Sequence, residues 1–413
     1  VYPLDGDGMV HAVYFRDGHV QYKNRWVQTS HLMTERKFGR TLYGSVGKLM
    51  EVPQEVIDAG GEPSPIRNTA NTNVLYHGGK LVAMWEGGWP HLLNTDLSTV
   101  GLYDYEGALQ AGDALTAHPK ICPDSGDLIT CTQRWDSPNY WVQVFDARGV
   151  HKQTIPVEFP RKGIIHDLQI TQNYVVIFYA PAFHSVEMAM KGEDPFLWEP
   201  DQGTRIIAIP RSGSGENIVF ETDAFFSWHY CNGFEEGGKI FIDYVWINSI
   251  PFTQAQGTGV EKQPRRMYRM SLDPATRAVT NERFSDIFCE FSRVDERRMG
   301  KSYRYGFATC SNRDWGDAHG YNCTGRFDFD TGETTLWEYG PEANAGEPVH
   351  VPNPDSEREE DGYLMCYVHN PGEGPFLSIL SAGNIEDGPL AKVHIPGRVP
   401  NGFHANWMQG LSL

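Results

Sequence analysis

The chain has 413 residues, of which 40% are hydrophobic and 12% aromatic, a composition typical of folded globular proteins and not of disordered ones. Its 53 acidic residues outnumber 35 basic ones and give a formal charge of −18. Because such a surface repels phosphate backbones, the charge argues against nucleic acid as a partner.

Short segments rich in β-branched and aromatic residues recur along the whole chain, with glycine-containing turns between them. This pattern is typical of β-strands. The 43 glycines and 26 prolines also leave little room for long helices. We predict strands at 10–15, 80–85, 140–145, 174–179, 205–209, 239–245, 266–272, 334–339 and 362–368.

The predicted strands follow one another without a Ser/Gly-rich or charged linker between two halves. We therefore predict one all-β domain over residues 1–413, either a propeller or a large barrel. A propeller has an axis toward which strands of several blades can each direct one side chain. No WD-type or kelch-type repeat is visible, so the sequence alone does not set the number of blades.

Residues 180–200 interrupt the strand pattern with a helix-capable segment that contains several apolar side chains. Two interpretations stay open. The segment either packs as a cap on the β body or forms a lid or apolar entrance over a ligand cavity. It is also the segment through which we expect any peripheral membrane contact to run.

Four of the 15 histidines stand in distinctive local contexts. A single histidine beside a strand is more often a hydrogen-bonded structural residue than a ligand, but imidazole suits iron, zinc, copper and nickel. The four are too far apart for a zinc finger, so only a fold that returns the chain to one axis could unite them. They are His118 in Thr-Ala-His-Pro-Lys, His166 in Ile-Ile-His-Asp-Leu, His229 in Trp-His-Tyr-Cys and His404 in Gly-Phe-His-Ala-Asn.

Ten short motifs, in this order and with compatible gaps, extend over nearly the whole chain, and together they resemble the carotenoid cleavage oxygenase family, which includes the lignostilbene dioxygenases. Each motif alone is weak, and their order carries the resemblance. They are Asp-Gly-Asp-Gly-Met-Val at 5–10, Glu-Arg-Lys-Phe-Gly-Arg at 35–40, Thr-Ala-Asn-Thr-Asn-Val at 69–74, Trp-Glu-Gly-Gly at 85–88, Ala-His-Pro-Lys at 117–120, His-Asp at 166–167, Asn-Gly-Phe-Glu-Glu-Gly at 232–237, Glu-Phe-Ser-Arg-Val-Asp at 290–295, Gly-Glu-Pro-Val-His-Val-Pro at 346–352 and Gly-Phe-His-Ala-Asn-Trp at 402–407.

The resemblance implies a seven-bladed β-propeller with Fe(2+) on its axis, under a cap of loops and short helices. It also implies that the metal ligands are the four histidines named above, His118, His166, His229 and His404. The N-terminal segment of the family pattern has no counterpart before Val1, so we expect that segment to be missing from this chain.

The resemblance further implies three glutamates that hydrogen-bond the outer nitrogens of three ligands. At the matching positions stand Glu86, Glu290 and Glu347. A carboxylate behind an imidazole fixes its tautomer and orientation and raises its basicity. The alternative for each glutamate is an ordinary charge on a surface strand.

The implied reaction is the cleavage of a C=C bond by O2 to give aldehyde or other carbonyl products, without an organic cofactor. The partners would be O2 and a hydrophobic conjugated alkene, either a stilbenoid or phenylpropenoid aryl alkene or a carotenoid or apocarotenoid. Members that cleave phenolic stilbenes hold the phenol with a tyrosine and a lysine, but here those positions are Val46 and Trp85. This apolar wall suits a polyene, a non-phenolic aryl alkene or a phenol held differently.

Further aromatic residues are candidate substrate contacts, although core packing is the more common role for any one of them. Trp26 and Phe307 join Val46 and Trp85 as candidate substrate-binding residues, with Trp89 and Phe183 as further tunnel candidates. His350 lies inside the Glu347 motif where related sequences usually carry an aromatic residue.

Two other functions stay open at this point. One is a zinc-dependent hydrolase, which four histidines fit poorly because catalytic zinc usually takes three protein ligands and a water. The other is a non-catalytic propeller that binds partners through its rims, since a fold does not prove a function.

Seven dispersed cysteines without a CxxC pair favour reduced thiols, and hence a cytoplasmic protein, over a disulfide framework. A pair between Cys310 and Cys323 is the one disulfide that we considered. No apolar run is long enough for a membrane span, and the sequence does not set an oligomeric state.

Overall fold

A computed structural model describes residues 5–44, 49–193, 195–250, 265–313 and 320–411. Its described part is mostly β-sheet, as expected, and the few helices are short. The α-helices in these ranges are α1 (Ser30–Phe38), α2 (Gln54–Asp58) and α3 (Val186–Lys191).

The first two sheets contain strands that are consecutive in the chain. Strands β1 (Met9–Arg16) and β2 (His19–Trp26) form an antiparallel hairpin. The next sheet has four strands that pair in chain order: β3 (Asn73–His77), β4 (Lys80–Met84), β5 (His91–Leu93) and β6 (Thr99–Leu102).

The third and fourth sheets are also antiparallel and nearly sequential. In the third, the order is β11-β10-β9-β7, with β8 on the edge of β9. Its strands are β7 (Asp113–Leu115), β8 (Lys120–Ile121), β9 (Leu128–Arg134), β10 (Tyr140–Phe145) and β11 (His151–Val157). The fourth has the order β12-β13-β16-β17, which are Gln169–Ile170, Tyr174–Tyr179, Thr204–Pro210 and Ile218–Thr222.

Residues between β13 and β16 form a small separate unit. Strands β14 (Ala182–His184) and β15 (Phe196–Trp198) pair with each other, and α3 lies between them in the chain. Phe183 and Ala189 are buried, whereas Met190 is exposed. The segment at 180–200 therefore packs largely as a cap. Separately, no helix in the described part of the chain has the length and apolar composition needed to cross a membrane.

The fifth sheet has seven strands because the 15-residue strand β21 extends past its neighbours and joins two four-stranded groups. The pairing between β21 and β22 shifts register between Glu290 and Arg293. The strands are β18 (Tyr230–Glu236), β19 (Lys239–Ile247), β20 (Arg265–Leu272), β21 (Val279–Arg293), β22 (Tyr305–Ser311), β23 (Cys323–Asp328) and β24 (Glu333–Glu338).

The last sheet has the order β25-β27-β28-β29, with β26 also paired to β27. The successive sheets give a propeller-like arrangement in which the chain passes from one sheet to the next. The strands are β25 (Asn344–Ala345), β26 (Val349–Val351), β27 (Tyr363–Asn370), β28 (Gly374–Ser381) and β29 (Pro389–His394).

The strand predictions rest on residue type, and packing explains why they succeed. Strand β13, Tyr-Val-Val-Ile-Phe-Tyr, buries five consecutive residues from Val175 onward, because neighbouring sheets cover both of its faces. All nine predicted segments are strands, with ends that differ by at most two residues. Helix α1 was not predicted, although Thr29 caps it through the Leu32 N–H and Gly39 ends it with φ 66°.

All seven cysteines are free and buried. Cys310 and Cys323 are register partners across β22 and β23, yet they too are free thiols. The expectation of a chain without a disulfide framework is thus met by every cysteine.

Candidate metal centre

Each of the four histidines lies at a strand end or in a connecting loop. His118 stands between β7 and β8, His166 precedes β12, and His229 comes immediately before β18. His404 lies beyond β29 in a C-terminal segment without regular structure. One nitrogen of each ring lies within 4.8 Å of the corresponding nitrogens of the others.

The four imidazole rings lie close together around one small space. The ring centroid of His118 is 4.4 Å from that of His166 and 4.4 Å from that of His404, and those of His229 and His404 are 4.7 Å apart. The buried Nε2 atoms of His118 and His229 have no hydrogen-bond partner in the described part of the chain. Buried polar atoms are normally satisfied, so a cation that accepts their lone pairs fits this arrangement.

Three glutamates lie behind three of the rings. His166 Nδ1 donates to Glu86 Oε2 at 2.6 Å, and His404 Nδ1 donates to Glu347 Oε1 at 2.9 Å. The third pair joins His229 Nδ1 to Glu290 Oε2. Because these contacts use Nδ1, they leave Nε2 free to bind a metal.

Two of these carboxylates are held ionised. Burial alone would raise the pKa of Glu290, but His229 and Arg265 hold it at about 2. Burial likewise opposes ionisation of Glu347, whose pKa stays at about 2 because of Arg293 and His404. At neutral pH each therefore accepts a hydrogen bond from its imidazole.

The histidine rings themselves differ in proton affinity. Burial, and then the neighbouring histidines, lower the pKa of His118 well below its usual value. Burial also lowers the pKa of His404 to about 4, against the opposing effect of Glu347. For His166 the outcome is the reverse, because Glu86 overcomes burial and raises its pKa. His118 and His404 are thus neutral, the form that binds metals.

Two aromatic side chains that sequence reasoning did not identify flank the rings. Trp228 packs edge-on against His166 at 4.7 Å between centroids, and Phe291 stacks on His229 at 5.0 Å. Phe291 has φ 53°, a left-handed conformation that is uncommon for residues other than glycine and is found at functional sites. Its proximity to Glu290 is the only sequence signal that could have pointed to it.

The segment with His404 is held by side chains from distant sheets. Arg293, whose side chain is 14% exposed, donates to the Ala405 carbonyl at 2.9 Å and to Glu347 at 3.3 Å. Glu347 also accepts the Ala405 N–H at 2.8 Å, and Asn406 donates to the Val74 carbonyl at 2.6 Å. These contacts replace the sheet hydrogen bonds that the segment lacks.

Two cavities border the four-histidine cluster, one at three of the histidines and the other at His404 alone. A cavity of about 320 Å³ touches His118, His229 and His404 and also contacts charged groups such as Lys120 and Arg293. A larger cavity of about 880 Å³ lies between the β1–β2 hairpin and the C-terminal segment, and its wall is mainly apolar.

The candidate substrate residues are dispersed. Trp85, next to Glu86, is buried, whereas Trp26 is 43% exposed on β2. Phe307 is completely buried in a core cluster and stacks on His350 at 5.5 Å between centroids, which favours packing over substrate contact. Val46 lies outside the described residues.

His350 is buried in the structure and belongs to the support of a loop. Its Nε2 is 2.8 Å from the Glu359 carbonyl, and the ring faces Phe307. It is not one of the four histidines that converge.

Residues 1–409 match the family model described as RPE65, retinal pigment epithelial membrane protein. The chain is 32% identical to apocarotenoid-15,15'-oxygenase of Synechocystis sp., covering 99% of this chain and 86% of that protein. It is 31% identical to isoeugenol monooxygenase of Pseudomonas nitroreducens, covering 98% and 87%. The solved structure of cobalt-substituted Synechocystis apocarotenoid oxygenase superposes with a TM-score of 0.89, at 30% identity over 98% of this chain and 88% of that one.

Proposed function

The chain belongs to the RPE65 and carotenoid cleavage oxygenase family, and we propose that it is an Fe(2+)-dependent dioxygenase that cleaves a C=C bond of a conjugated alkene. One observation carries the proposal. Four imidazoles, two of them buried and two partly buried, converge to within 4.8 Å, and three of them are backed by glutamates.

The donor set fits iron. His118, His166, His229 and His404 would hold the ion through neutral imidazoles, which suit Fe(2+). Glu86, Glu290 and Glu347 would orient three of these rings. Catalytic zinc usually has three protein ligands, so a fourth histidine and the oxygenase relatives both favour iron over the zinc hydrolase.

The overall reaction balances without a reductant. The alkene loses its C=C bond, O2 loses its O–O bond, and each former alkene carbon receives one oxygen atom as a carbonyl. Bound Fe(2+) would supply the electron-transfer chemistry that lets O2 react with a closed-shell alkene. The protein's part is to hold the ion, orient the alkene and exclude water.

Residues of this chain that would orient the alkene are Trp228 and Phe291. They present aromatic surface beside His166 and His229, and a flat conjugated substrate packs well against such surfaces. Trp85 would add apolar surface beside Glu86. Relatives named for apocarotenoid and isoeugenol substrates support both the polyene and the aryl alkene, and we place the aryl alkene first because the motifs as a whole look closer to the lignostilbene dioxygenases.

We also propose that the fold is a seven-bladed propeller formed by residues 1–413 as one domain. Four groups of strands (β3–β6, β7–β11, β12-β13-β16-β17 and β25–β29) support one blade each, and the long β21 supports a division of the seven-stranded sheet into two more. The β1–β2 hairpin supports the seventh. Free, buried thiols support a reducing compartment such as the cytoplasm.

The test combines metal analysis with product analysis. Protein reconstituted anaerobically with Fe(2+) would be exposed to ¹⁸O2 and to a stilbene, a propenyl phenol or an apocarotenal, and products would be identified by mass. We expect about one iron per chain and a labelled carbonyl product. Stoichiometric zinc with hydrolytic turnover, or protein that takes up no metal, would overturn the proposal.

A further inference from the structure

The buried carboxylate of Asp167 lies beside the four-histidine cluster without being part of it. Asp167 directly follows His166, and only 2% of its side chain is exposed. Its Oδ1 accepts from Lys120 Nζ at 2.8 Å and from the Leu168 N–H at 2.7 Å, and its Oδ2 accepts from the Tyr230 N–H at 3.0 Å.

Each distant partner of this carboxylate adjoins another histidine. Lys120 lies two residues after His118, and Tyr230 lies one residue after His229. The two oxygens of Asp167 therefore connect the chain segments that carry His118, His166 and His229. A hydrogen bond from Thr116 Oγ1 to the His166 carbonyl, at 2.9 Å, adds a second link between the first two segments.

The link from Asp167 to the His118 segment differs from the support that the other three histidines receive. The other three rings each contact a glutamate, whereas in the described residues no carboxylate is hydrogen-bonded to the ring of His118. In the part of the chain that the structure describes, Lys120 and Asp167 couple a carboxylate to this segment, and 12% of the Lys120 side chain is exposed.

We propose that Asp167 is a positioning residue that sets the relative placement of His118, His166 and His229 and so determines how tightly and with what geometry these rings bind a metal ion. The proposal rests on the proposed function, in that the four histidines bind a metal. Asp167 contacts neither the ion nor the substrate.

Substitution by asparagine separates this role from simple burial. All three partners of Asp167 are donors, and an amide has one acceptor oxygen and an NH2 group. The Asp167→Asn variant would thus lose at least one of the contacts while keeping the size of the side chain. Lys120→Met removes the link to the His118 segment, together with a positive charge near that ring, and provides a second variant that keeps Asp167 in place.

A matched control exists in β19. Asp243 is completely buried and pairs with Arg269 through two hydrogen bonds of 2.8 Å, but it adjoins none of the four histidines in sequence. Asp243→Asn therefore disturbs a buried ion pair whose side-chain hydrogen bonds go to Arg269 and Tyr303 and not to residues adjacent to the four histidines.

The experiment measures Co(2+) binding to the metal-free full chain by competition with a chelator, together with the visible spectrum of the cobalt protein and the thermal unfolding of each metal-free variant. We expect Asp167→Asn to weaken Co(2+) binding about 10-fold or more and to change the cobalt absorption bands. Lys120→Met should act in the same direction, and Asp243→Asn should lower the unfolding temperature while leaving the spectrum and affinity of the parent.

The outcomes separate the two proposals. If the parent protein binds Co(2+) and both Asp167→Asn and Lys120→Met keep its affinity and spectrum, the positioning role is overturned whatever their stability, while the metal site stands. If the folded parent protein binds neither Co(2+) nor Fe(2+), the proposed function fails and this inference fails with it.

Discussion

The four histidines are held in place in two different ways. His118, His166 and His229 belong to segments that lead directly into strands β8, β12 and β18, and Asp167 links these segments to one another. His404 lies in the irregular segment after β29, where Arg293 and Glu347 contact Ala405 from other parts of the fold.

This difference shows that a rigid site does not require every ligand to lie near regular structure. A strand positions a ligand through backbone hydrogen bonds, which form as the sheet forms. An irregular segment reaches the same precision only if side chains satisfy its backbone, and those side chains are then as important as the ligand. The following four experiments test this contrast, from the largest expected effect to the smallest.

The largest effect is expected for His229→Ala. Loss of one ligand should reduce metal retention by more than the 10- to 100-fold effect of losing a supporting carboxylate, by at least about 1000-fold, and should abolish oxygenase activity. Metal content and circular dichroism check this, because β18 and the other strands should persist. The exposed His369 in β27 provides the control: His369→Ala should retain metal and turnover. Full turnover in His229→Ala would remove His229 from the site.

Arg293→Met should affect the C-terminal segment most strongly. It leaves Glu347 with a buried charge and the Ala405 carbonyl without its donor, and breaking a buried ion pair costs about 3–5 kcal/mol. Hydrogen exchange should rise at 402–411 before it rises in the strands next to the other three histidines.

The control for that experiment is an exposed arginine. Arg358 pairs with Glu360 on the surface, where 68% of its side chain is exposed, so Arg358→Met should cost less than about 1 kcal/mol. If hydrogen exchange in Arg293→Met rose equally at 402–411 and in the strands next to the other three histidines, the two kinds of support would not be independent.

Glu290→Gln and Glu347→Gln should differ in degree. Each should weaken metal retention by about 10- to 100-fold, measured by chelator competition. Glu347 supports the His404 ring, the Ala405 N–H and Arg293, whereas Glu290 supports the His229 ring and the adjacent Phe291 N–H. We therefore expect the larger effect at Glu347, and the reverse order would contradict the contrast drawn above.

The smallest effect is expected for the stability of the metal-free protein in acid, and it concerns His91, which lies in a sheet away from the four histidines. Burial, and then His31, lower the pKa of His91 to about 4, while in the unfolded chain it stays near 6.5. Between these values the unfolded chain binds more protons, so the unfolding free energy of the metal-free protein falls as the pH falls, by roughly 1–2 kcal/mol from pH 6.5 to 5. Denaturant unfolding of the parent and of His91→Asn checks this, because the variant should lack this part of the pH dependence. Identical pH profiles would show that His91 does not contribute.

The strands were predictable because burial of β-branched and aromatic residues is a local signal. Strand β13 shows this, with Tyr174–Tyr179 recovered to the residue. Helix α1 was missed because its cap, Thr29, and its terminating Gly39 are short-range signals that occur in many turns. Phe307 was considered as a substrate contact because residue type distinguishes buried from exposed positions but does not say which interior surface a ring faces.

The sequence by itself determined the order of the strands and, through motif order, the histidines and glutamates that belong together. Only the tertiary structure decided that these residues meet, with four ring nitrogens within 4.8 Å, and that Trp228 and Phe291 flank them. It also decided that Asp167 links three of the segments and that Arg293 holds the fourth. The physical reason is that strand formation depends on neighbours along the chain, whereas a site on a common axis depends on contacts between segments that only the packed sheets bring together.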